Sequence, residues 1–220
     1  MTRERTFEER RADMVDRQLR SRGIRDERVL AAMARVPREA FVPAALADHA
    51  YDDAALPIGE DQTISQPYIV AAMCELLALD GDERVLDVGT GSGYAAGVLD
   101  ELAGAVVSIE RVPALAERAR RALSDTGHGQ VEVLEGDGSL GAPERAPFDA
   151  IAVAAATATV PPALYAQLVE GGRMVLPVGG PRGQHLTRVV RAAVGPEKTG
   201  FLGCRFVPLV QGSPGRKLSD

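Results

Sequence analysis

A glycine-rich turn with three nearby carboxylates is the part of this 220-residue sequence most able to do chemistry. The turn, Gly89–Gly93, follows the pattern G-x-G-x-G. Asp87 precedes it by two residues, whereas Glu110 and Asp137 follow later apolar runs. Glycines in such a turn adopt positive φ and let the backbone approach a ligand closely. The pattern therefore indicates a ligand site built by the turn and these acidic side chains.

The acidic side chains limit which ligand the turn could bind. A pyrophosphate would be repelled by Asp87, whereas a cofactor with an amino group and a cationic sulfonium would be attracted. Glu110 could accept hydrogen bonds from both hydroxyls of a ribose, and Asp137 could accept one from an adenine amine. We therefore expect S-adenosylmethionine rather than NAD. For any one of these residues alone, an ordinary strand-end position is the alternative.

Hydrophobic patterns typical of helices and of buried strands alternate after residue 66, and the elements that they predict would position this turn. Short buried strands are predicted at 84–88, 105–110, 131–135, 148–153 and 173–178, with further strands possible at 186–194 and 203–210. Helices are predicted at 67–79, from the turn to about 102, at 113–123 and at 161–168. Such alternation indicates an α/β fold with a doubly wound, mostly parallel sheet of the Rossmann-like type. Ligands of these sheets bind at the carboxyl ends of the strands.

The chain before residue 67 is less regular. Residues 1 to about 12 are charged and are expected to be a solvated extension. A short helix that begins near Met14 is predicted to end at Gly23, and Asp26 could cap the next one. The stretch 51–66 shows no clear hydrophobic period. We therefore expect N-terminal helices followed by an irregular segment.

Composition excludes several classes of protein. Because 25 Lys and Arg face 31 Asp and Glu, the net charge is −6, which disfavours binding through phosphate neutralisation. Aromatic residues are 4% and Trp is absent, so stacking platforms for bases or sugars are not expected. Cys74 and Cys204 form no metal-binding or disulfide pattern, and reduced thiols of a cytoplasmic protein fit them best. No apolar run approaches the ~20 residues of a membrane span, and the charged N-terminus is unlike a signal peptide. We expect no nucleic-acid, membrane or metal partner.

Several motifs carry a resemblance to a known family. They are Val36-Pro37-Arg38, Phe41-Val42-Pro43, Leu56-Pro57-Ile58-Gly59, Gln62-Thr63-Ile64-Ser65-Gln66-Pro67-Tyr68, Asp87-Val88-Gly89-Thr90-Gly91-Ser92-Gly93-Tyr94, Gly136-Asp137-Gly138, Pro147-Phe148-Asp149, Gly171-Gly172-Arg173 and Pro177-Val178-Gly179. Together they resemble the protein-L-isoaspartate(D-aspartate) O-methyltransferases, which are class I methyltransferases, over about residues 14–209. We accordingly expect a charged extension at 1–13 and one methyltransferase domain at 14–220. That domain would comprise a helical, substrate-side segment at 14–79 and a cofactor-binding α/β core at 80–220.

The resemblance implies an activity and a set of site residues. The activity is transfer of the methyl group of S-adenosylmethionine to the α-carboxylate of an isoaspartyl residue in damaged proteins and peptides, by a monomeric enzyme without a metal. Ser65 matches the family's active-site serine. The cofactor positions are matched by Asp87, Gly89, Thr90, Gly91, Ser92, Gly93, Glu110, Arg111, Asp137 and Gly138. The segments that border the peptide site contain Thr63, Ile64, Ser65, Val178 and Gln184, of which Gln184 follows a variable loop.

The residue types agree with methylation of a carboxylate. Such an acceptor has a reference pKa of ~3.3–3.7 and is ionised at neutral pH, so the reaction requires no general base. His49, His128 and His185 stand in polar stretches without an acidic partner at an obvious spacing, and surface positions are expected for them. The hypothesis for Ser65 is a hydrogen bond that orients the acceptor. Its alternative is local capping of the helix predicted to start at Gln66-Pro67.

Three other readings remain. A small-molecule or RNA methyltransferase could share the fold, although the acidic balance disfavours RNA. The sequence has neither the Asn-Pro-Pro-Tyr-type motif nor the Pro-Cys pair expected of an enzyme that methylates bases. It also lacks the general base or metal cluster that methylation of a hydroxyl would require. A non-catalytic cofactor-binding module is disfavoured by the intact glycine turn together with the intact Thr63–Ser65 segment. An NAD-dependent oxidoreductase is disfavoured by Asp87 and by the spacing of the glycines.

Overall fold

The structure, a computed structural model, describes residues 5–180 and 182–212 and contains one large sheet. A separate hairpin is formed by β1 (Leu56–Gly59) and β2 (Gln62–Ile64). The strands of the large sheet are β3 (Arg84–Val88), β4 (Ala105–Glu110), β5 (Glu132–Glu135), β6 (Phe148–Val153), β7 (Leu168–Gly180), β8 (Gly183–Ala192) and β9 (Gly195–Cys204). Across the sheet the order is β5-β4-β3-β6-β7-β8-β9. Strands β3 to β7 are parallel to their neighbours, whereas β8 pairs antiparallel with β7 and β9. The predicted α/β, mostly parallel fold is confirmed.

Six α-helices accompany these strands within the described ranges. They are α1 (Phe7–Asp13), α2 (Glu27–Arg35), α3 (Pro67–Leu77), α4 (Tyr94–Asp100), α5 (Pro113–Asp125) and α6 (Pro162–Ala166). The predicted cap of α2 is confirmed, because the Asp26 carboxylate accepts from the N–H groups of Arg28 and Val29. The preceding helical segment ends at Gly23, whose φ of 102° suits glycine. None of the described helices is long and apolar enough to cross a membrane.

The sheet has an apolar cluster on each face because successive side chains of a strand point to opposite sides. Val85 of β3 belongs to the cluster that packs against α3 and α4. Leu86 and Val88 belong to the cluster on the other face. Asp87 therefore projects into the layer between the sheet and helices α3 and α4, where it is only 1% exposed.

Parallel pairing brings the ends of three strands to one edge. Val88 is level with Ile109 in the β3–β4 pair, and Glu110 is level with Glu135 in the β4–β5 pair. The glycine turn after β3, Glu110 at the end of β4 and Asp137 just after β5 therefore lie along the same edge. This is the edge at which doubly wound sheets bind ligands.

The N-terminal region is more ordered than its charge suggests. Residues 7–13, expected within a solvated extension, form α1, none of whose residues is buried. Thr6 and Glu9 make a capping box at its start, and Arg10 donates to the carbonyl of Asp48 at 3.0 Å. Local capping and these surface contacts order a helix although it buries no residue.

Two strand predictions need correction. The stretch 51–66 contains the β1–β2 hairpin, whose turn residues Glu60 and Asp61 both have φ of 54°. Such turns are usually marked by Asn or Gly, so the sequence carried no signal. The predicted strand at 203–210 is wrong, because β9 ends at Cys204. As an edge strand with mostly exposed residues, β9 lacks the apolar pattern that marks buried strands.

Candidate functional site

A cavity of about 1020 Å³ opens at this edge of the sheet. Its wall is formed by the end of the hairpin with the start of α3, by the glycine turn, by the end of β4, and by residues 203–210, which begin at the end of β9. The sequence-predicted residues on this wall are Thr63, Ile64, Ser65, Gly89, Thr90, Gly91, Ser92, Glu110, Arg111 and Gly138. The cavity is at the upper end of the ~300–1,000 Å³ usual for small-molecule sites, so it has room for a nucleoside cofactor and part of a second substrate. The structure thus brings most of the predicted cofactor and substrate positions together.

The glycine turn forms a cradle whose backbone conformation and close packing do not accept larger residues. Gly89, Gly91 and Gly93 have φ of 94°, 54° and 92°. A Cβ on Gly93 would lie 3.2 Å from the Cβ of Ala119 on α5. Across the cavity, a Cβ on Gly138 would lie 2.7 Å from Cγ1 of Val88. The glycines therefore permit the backbone conformation of the turn and keep its surroundings closely packed. Gly93 itself packs against α5 behind the wall.

Glu110 joins the turn to the end of β4. Its Oε2 accepts from the Gly91 N–H at 2.8 Å, and its Oε1 accepts from the Val112 N–H at 2.9 Å. These bonds fix the carboxylate, which is 6% exposed, in the cavity wall. Because each carboxylate oxygen has a further lone pair, the group can still accept two hydroxyl donors. This geometry fits a ribose diol, as the sequence predicts.

Asp87 lies behind the turn rather than on the wall. Its Oδ2 accepts from the Ser108 Oγ at 2.7 Å, and Ser108 Oγ lies 2.5 Å from Oγ1 of Thr90. Burial raises the pKa of Asp87 to about 6; the Ser108 hydrogen bond opposes this rise, and the charge of Glu110 adds to it. The predicted direct attraction between Asp87 and a cationic ligand must therefore act across the intervening turn.

Asp137 is also held by the protein itself. Its Oδ1 accepts from the Ser139 N–H at 2.9 Å and its Oδ2 from the Gly212 N–H at 2.7 Å. Burial favours a higher pKa for Asp137, but these backbone donors outweigh it and hold the pKa below the ordinary value. The wall beside it is formed by Gly138. An adenine amine would therefore have to share an oxygen of Asp137 with a backbone donor, and the assignment stays a prediction.

Ser65 lies between β2 and α3, on the wall of the cavity. The N-cap residue of α3 is Gln66, which makes no side-chain capping bond and instead donates to Asp53 Oδ1 at 2.7 Å. Within residues 5–180 and 182–212, the Ser65 hydroxyl has no hydrogen-bond partner. The capping alternative for Ser65 therefore lacks the bond it requires. The hydroxyl is available to a ligand.

Val178 and Gln184 lie outside the cavity wall. Val178 is a half-buried residue that packs in the apolar cluster on the far face of the sheet. Gln184 of β8 holds the backbone of Phe206, with its Oε1 accepting from the Phe206 N–H at 2.7 Å and its Nε2 donating to the Phe206 carbonyl at 3.1 Å. Since Phe206 does line the cavity, Gln184 can act on it only by positioning that segment.

We expect Gln184→Leu to disturb the cavity wall by leaving two backbone groups of Phe206 unpaired, at a cost of about 1–3 kcal/mol for each group that stays dry. If this part of the wall borders the peptide, as the resemblance implies, the KM for an isoaspartyl peptide should rise about tenfold, with a lower unfolding temperature. Gln184→Glu, which keeps the acceptor for the Phe206 N–H, should lie between this variant and the parent. Steady-state kinetics and thermal unfolding test this, and an unchanged KM in the Leu variant contradicts it.

The expectation for the histidines is partly wrong. His49 is exposed but lies 2.8 Å from Asp52 Oδ2, only three residues along the chain. His128 is buried and lies 2.9 Å from Oδ2 of Asp100 on α4. His185 is exposed, as expected. Among the described residues of the cavity wall there is no histidine, and the described chain holds no group of His, Cys, Asp and Glu side chains suited to a metal.

Two parts of the site were missed in the sequence. Ser108 is the polar residue within the apolar run of β4 before Glu110, and this could have marked it. The segment 203–210 forms a large part of the wall, yet it has no periodic pattern. Backbone bonds hold it, from Ala156 N to the Val207 carbonyl and from Leu209 N to the Ala156 carbonyl, both at 2.8 Å. Only the folded chain shows these contacts.

A parallel α/β sheet with a glycine cradle, a fixed carboxylate suited to a ribose and a cavity of this size defines an S-adenosylmethionine-dependent methyltransferase of the class I, Rossmann-like type. Comparison with known families narrows the class. Residues 9–214 match the family described as Protein-L-isoaspartate(D-aspartate) O-methyltransferase, and the chain belongs to that family.

Individual relatives agree with this membership. The chain is 54% identical over 207 residues to Protein-L-isoaspartate O-methyltransferase 1 of Rhodopseudomonas palustris (strain HaA2), covering 93% of this chain and 84% of that protein. It is 57% identical over 202 residues to Protein-L-isoaspartate O-methyltransferase 2 of Marinobacter nauticus, covering 91% and 92%. A solved protein-L-isoaspartate O-methyltransferase superimposes with a TM-score of 0.81 at 30% identity, covering 93% of this chain and 67% of that one. A putative Plasmodium falciparum enzyme, solved with S-adenosyl-L-homocysteine, shares the fold at 23% identity and a TM-score of 0.79, covering 92% and 99%.

Proposed function

We propose that this chain transfers the methyl group of S-adenosylmethionine to the α-carboxylate of L-isoaspartyl residues in damaged proteins and peptides. Family membership and relatives above 50% identity that carry this activity in their names support the reaction. The observation that carries the mechanism is Ser65. Ser65 lines the same cavity as the glycine turn, and its hydroxyl has no hydrogen-bond partner in the described chain.

The site is suited to an acceptor that is already ionised. An isoaspartyl α-carboxylate has a reference pKa of ~3.3–3.7, so no residue has to remove a proton from it at neutral pH. Methylation of an amine or hydroxyl would call for a general base, and no histidine lies on the described wall. A carboxylate acceptor therefore needs no residue of the described wall in the role of a base, whereas an amine or hydroxyl acceptor would.

The protein's contribution is alignment of the acceptor. When bound, S-adenosylmethionine would supply an activated methyl group to a carboxylate oxygen and would depart as a neutral thioether. Ser65 donates a hydrogen bond to the other carboxylate oxygen and holds the attacking one in line. Positioning of this kind can be worth about 7–11 kcal/mol when both reactants are held. Water excluded from the cavity would otherwise solvate the anion that must react.

We assign the other predicted residues to the two halves of this cavity. Gly89 through Ser92, with Glu110, Arg111 and Gly138, would hold the methyl donor, whereas Thr63 and Ile64 would border the peptide. Asp87, Gly93, Asp137 and Gln184 would act from behind the wall. We keep Val178 as a predicted border residue, although it does not line the described cavity.

Methylation starts a repair sequence rather than completing it. The next backbone nitrogen can attack the new ester and displace methanol, which gives a succinimide. Hydrolysis of that ring returns some normal aspartate. Because damage occurs in many sequences, the acceptor site has to tolerate varied side chains. An open cavity bounded by backbone segments such as 203–210 is compatible with that requirement.

A paired-peptide assay tests the proposal. Methyl-labelled S-adenosylmethionine is supplied with two peptides that differ only in an aspartyl or isoaspartyl linkage. Base-labile label in the isoaspartyl peptide alone is the expected result. Label in neither peptide, with S-adenosylhomocysteine still bound, would favour the small-molecule methyltransferase. Equal label in both peptides would contradict the proposed specificity for the isoaspartyl linkage.

We also propose that the enzyme is cytoplasmic and monomeric and that residues 14–220 form a single methyltransferase domain. Cys74 and Cys204, both free thiols, are compatible with a reducing compartment. Light scattering of the purified chain at micromolar concentration tests the monomer. A mass of twice 23.2 kDa would contradict it.

A further inference from the structure

A chain of three hydrogen-bonding groups connects a buried carboxylate to the cavity wall. Asp87 on β3, Ser108 on β4 and Thr90 in the glycine turn are joined by the 2.7 Å and 2.5 Å contacts. All three side chains are buried, with relative exposures of 1%, 0% and 4%. Of the three residues, only Thr90 lines the cavity. Within the described chain, the hydrogen-bonded route from Asp87 to this wall residue runs through Ser108.

The direction of these hydrogen bonds depends on the charge of Asp87. An ionised carboxylate only accepts, so Ser108 must donate its single proton to Asp87. Ser108 then has only lone pairs left for Thr90, and Thr90 must donate to Ser108. Under these conditions the Thr90 oxygen offers the cavity only lone pairs. This arrangement favours a cationic group on the ligand.

Protonation of Asp87 permits the opposite order. The carboxylic acid can donate to Ser108, Ser108 to Thr90, and the Thr90 proton is then free to point into the cavity. A donor at that position disfavours a cation. The chain can therefore present either polarity at the wall without moving a heavy atom.

Among the three hydrogen-bonded side chains, Asp87 is the one that changes charge near neutral pH, and the groups around it do not alter this. Cys74 of α3 faces it, and burial raises the pKa of that thiol to about 12, so it stays neutral. Tyr94 of α4, which interacts with Cys74, has its pKa raised to about 12 by burial. On β4 the charge of Glu110 adds to the rise in the pKa of Asp87. On β6 the neighbour of Asp87 is Ala152, which has no charge.

We propose that Ser108 is a positioning residue for the methyl donor, through which the ionisation of buried Asp87 sets the polarity of Thr90 on the cavity wall. The inference rests on the proposed function only in taking S-adenosylmethionine, with its cationic amino and sulfonium groups, as the ligand. It adds that ligand binding requires ionised Asp87 and an intact Ser108 hydroxyl.

Calorimetric titration between pH 5 and 7 tests the link between the ionisation of Asp87 and ligand binding. S-adenosylhomocysteine is the probe, because its amino group, with a reference pKa of ~7.7–8.0, stays protonated in this range. For the parent protein we expect the Kd to rise about tenfold for each pH unit below 6. Ser108→Ala cuts the hydrogen-bonded chain between Asp87 and Thr90, so its Kd should no longer follow the pH, and binding at pH 7 should weaken about tenfold because the Thr90 hydroxyl is no longer held as an acceptor. Ser108→Thr restores the hydroxyl and should recover the parent's midpoint.

Two further variants separate this role from packing. Val107→Ala shortens a buried neighbour on the same strand, so it should lower the unfolding temperature without moving the midpoint. Thr90→Val keeps the Ser108–Asp87 bond but removes the hydroxyl from the wall, so its Kd should no longer follow pH. A parent-like pH dependence in Ser108→Ala or in Thr90→Val overturns the proposal.

Failure of this inference can be distinguished from failure of the proposed function. If the parent protein binds the probe with a midpoint near pH 6 but methylates no isoaspartyl peptide, the acceptor assignment fails and the link stands. If it methylates the peptide and the Kd is flat with pH, the link fails and the acceptor assignment stands.

Discussion

Replacing Ser65 with aspartate should reduce methyl transfer by more than about a thousandfold while the protein stays folded. The hydrogen bond lost to an anionic acceptor is worth about 1.5–3 kcal/mol. The new carboxylate would also repel the acceptor by about 4 kcal/mol at ~4 Å and an effective dielectric constant of ~20. Together these exceed the roughly 4 kcal/mol that corresponds to a thousandfold change in rate.

A graded series of variants tests this role. Ser65→Ala loses only the hydrogen bond and should retain about 1–10% of kcat/KM. Ser65→Asn keeps a donor and should fall between the Ala variant and the parent. Since Ser65 makes no capping bond in the described chain, all three variants should unfold within ~0.5 kcal/mol of the parent, as other surface changes do. An active Ser65→Asp enzyme would mean that Ser65 does not contact the acceptor.

Asp87→Asn should change stability and ligand binding in opposite directions. Burial raises the pKa of Asp87 to about 6 from 3.8, so ionising it costs the folded protein roughly 3 kcal/mol more than it costs the unfolded chain. Asparagine removes that cost but introduces amide donors that need partners, at about 1 kcal/mol. We expect the variant to be about 2 kcal/mol more stable than the parent at pH 7.5 and to bind S-adenosylhomocysteine at least tenfold more weakly.

The stability gained by Asp87→Asn should depend on pH. A carboxyl with a pKa raised by folding stabilises the protein fully below the unfolded value near 3.8, and that stabilisation is lost as the pH rises through about 6. The advantage of Asp87→Asn should therefore be small at pH 4 and full at pH 7.5. Denaturant unfolding at both values measures it. Glu170→Gln, which removes an exposed carboxylate, is the control and should show little difference. A variant less stable than the parent at pH 7.5 would refute the prediction.

The parallel core could be predicted closely because its pattern is local. Strands β3, β4 and β6 are runs of apolar residues between turns, and their predicted bounds agree with the structure. The β1–β2 hairpin could not be predicted, because its turn places Glu60 and Asp61 at φ of 54° without the usual glycine or asparagine. The hairpin, whose second strand carries Thr63 and Ile64, packs against the glycine turn through Ile58. The Cδ1 of Ile58 lies 3.5 Å from the position of a Cβ on Gly91.

By itself, the sequence determined the class of fold, the glycine turn, Glu110 at a strand end and the resemblance that points to Ser65. These depend on hydrophobic period and on residues close together in the chain. Only the tertiary structure decided that Asp87 is hydrogen-bonded to Ser108, that His128 is paired with Asp100, and that Gln184 holds Phe206. The members of these pairs lie 21, 28 and 22 residues apart, and their contacts depend on strand register and packing between layers. No spacing rule of a single chain encodes that register, because it is set by the burial of all the strands together.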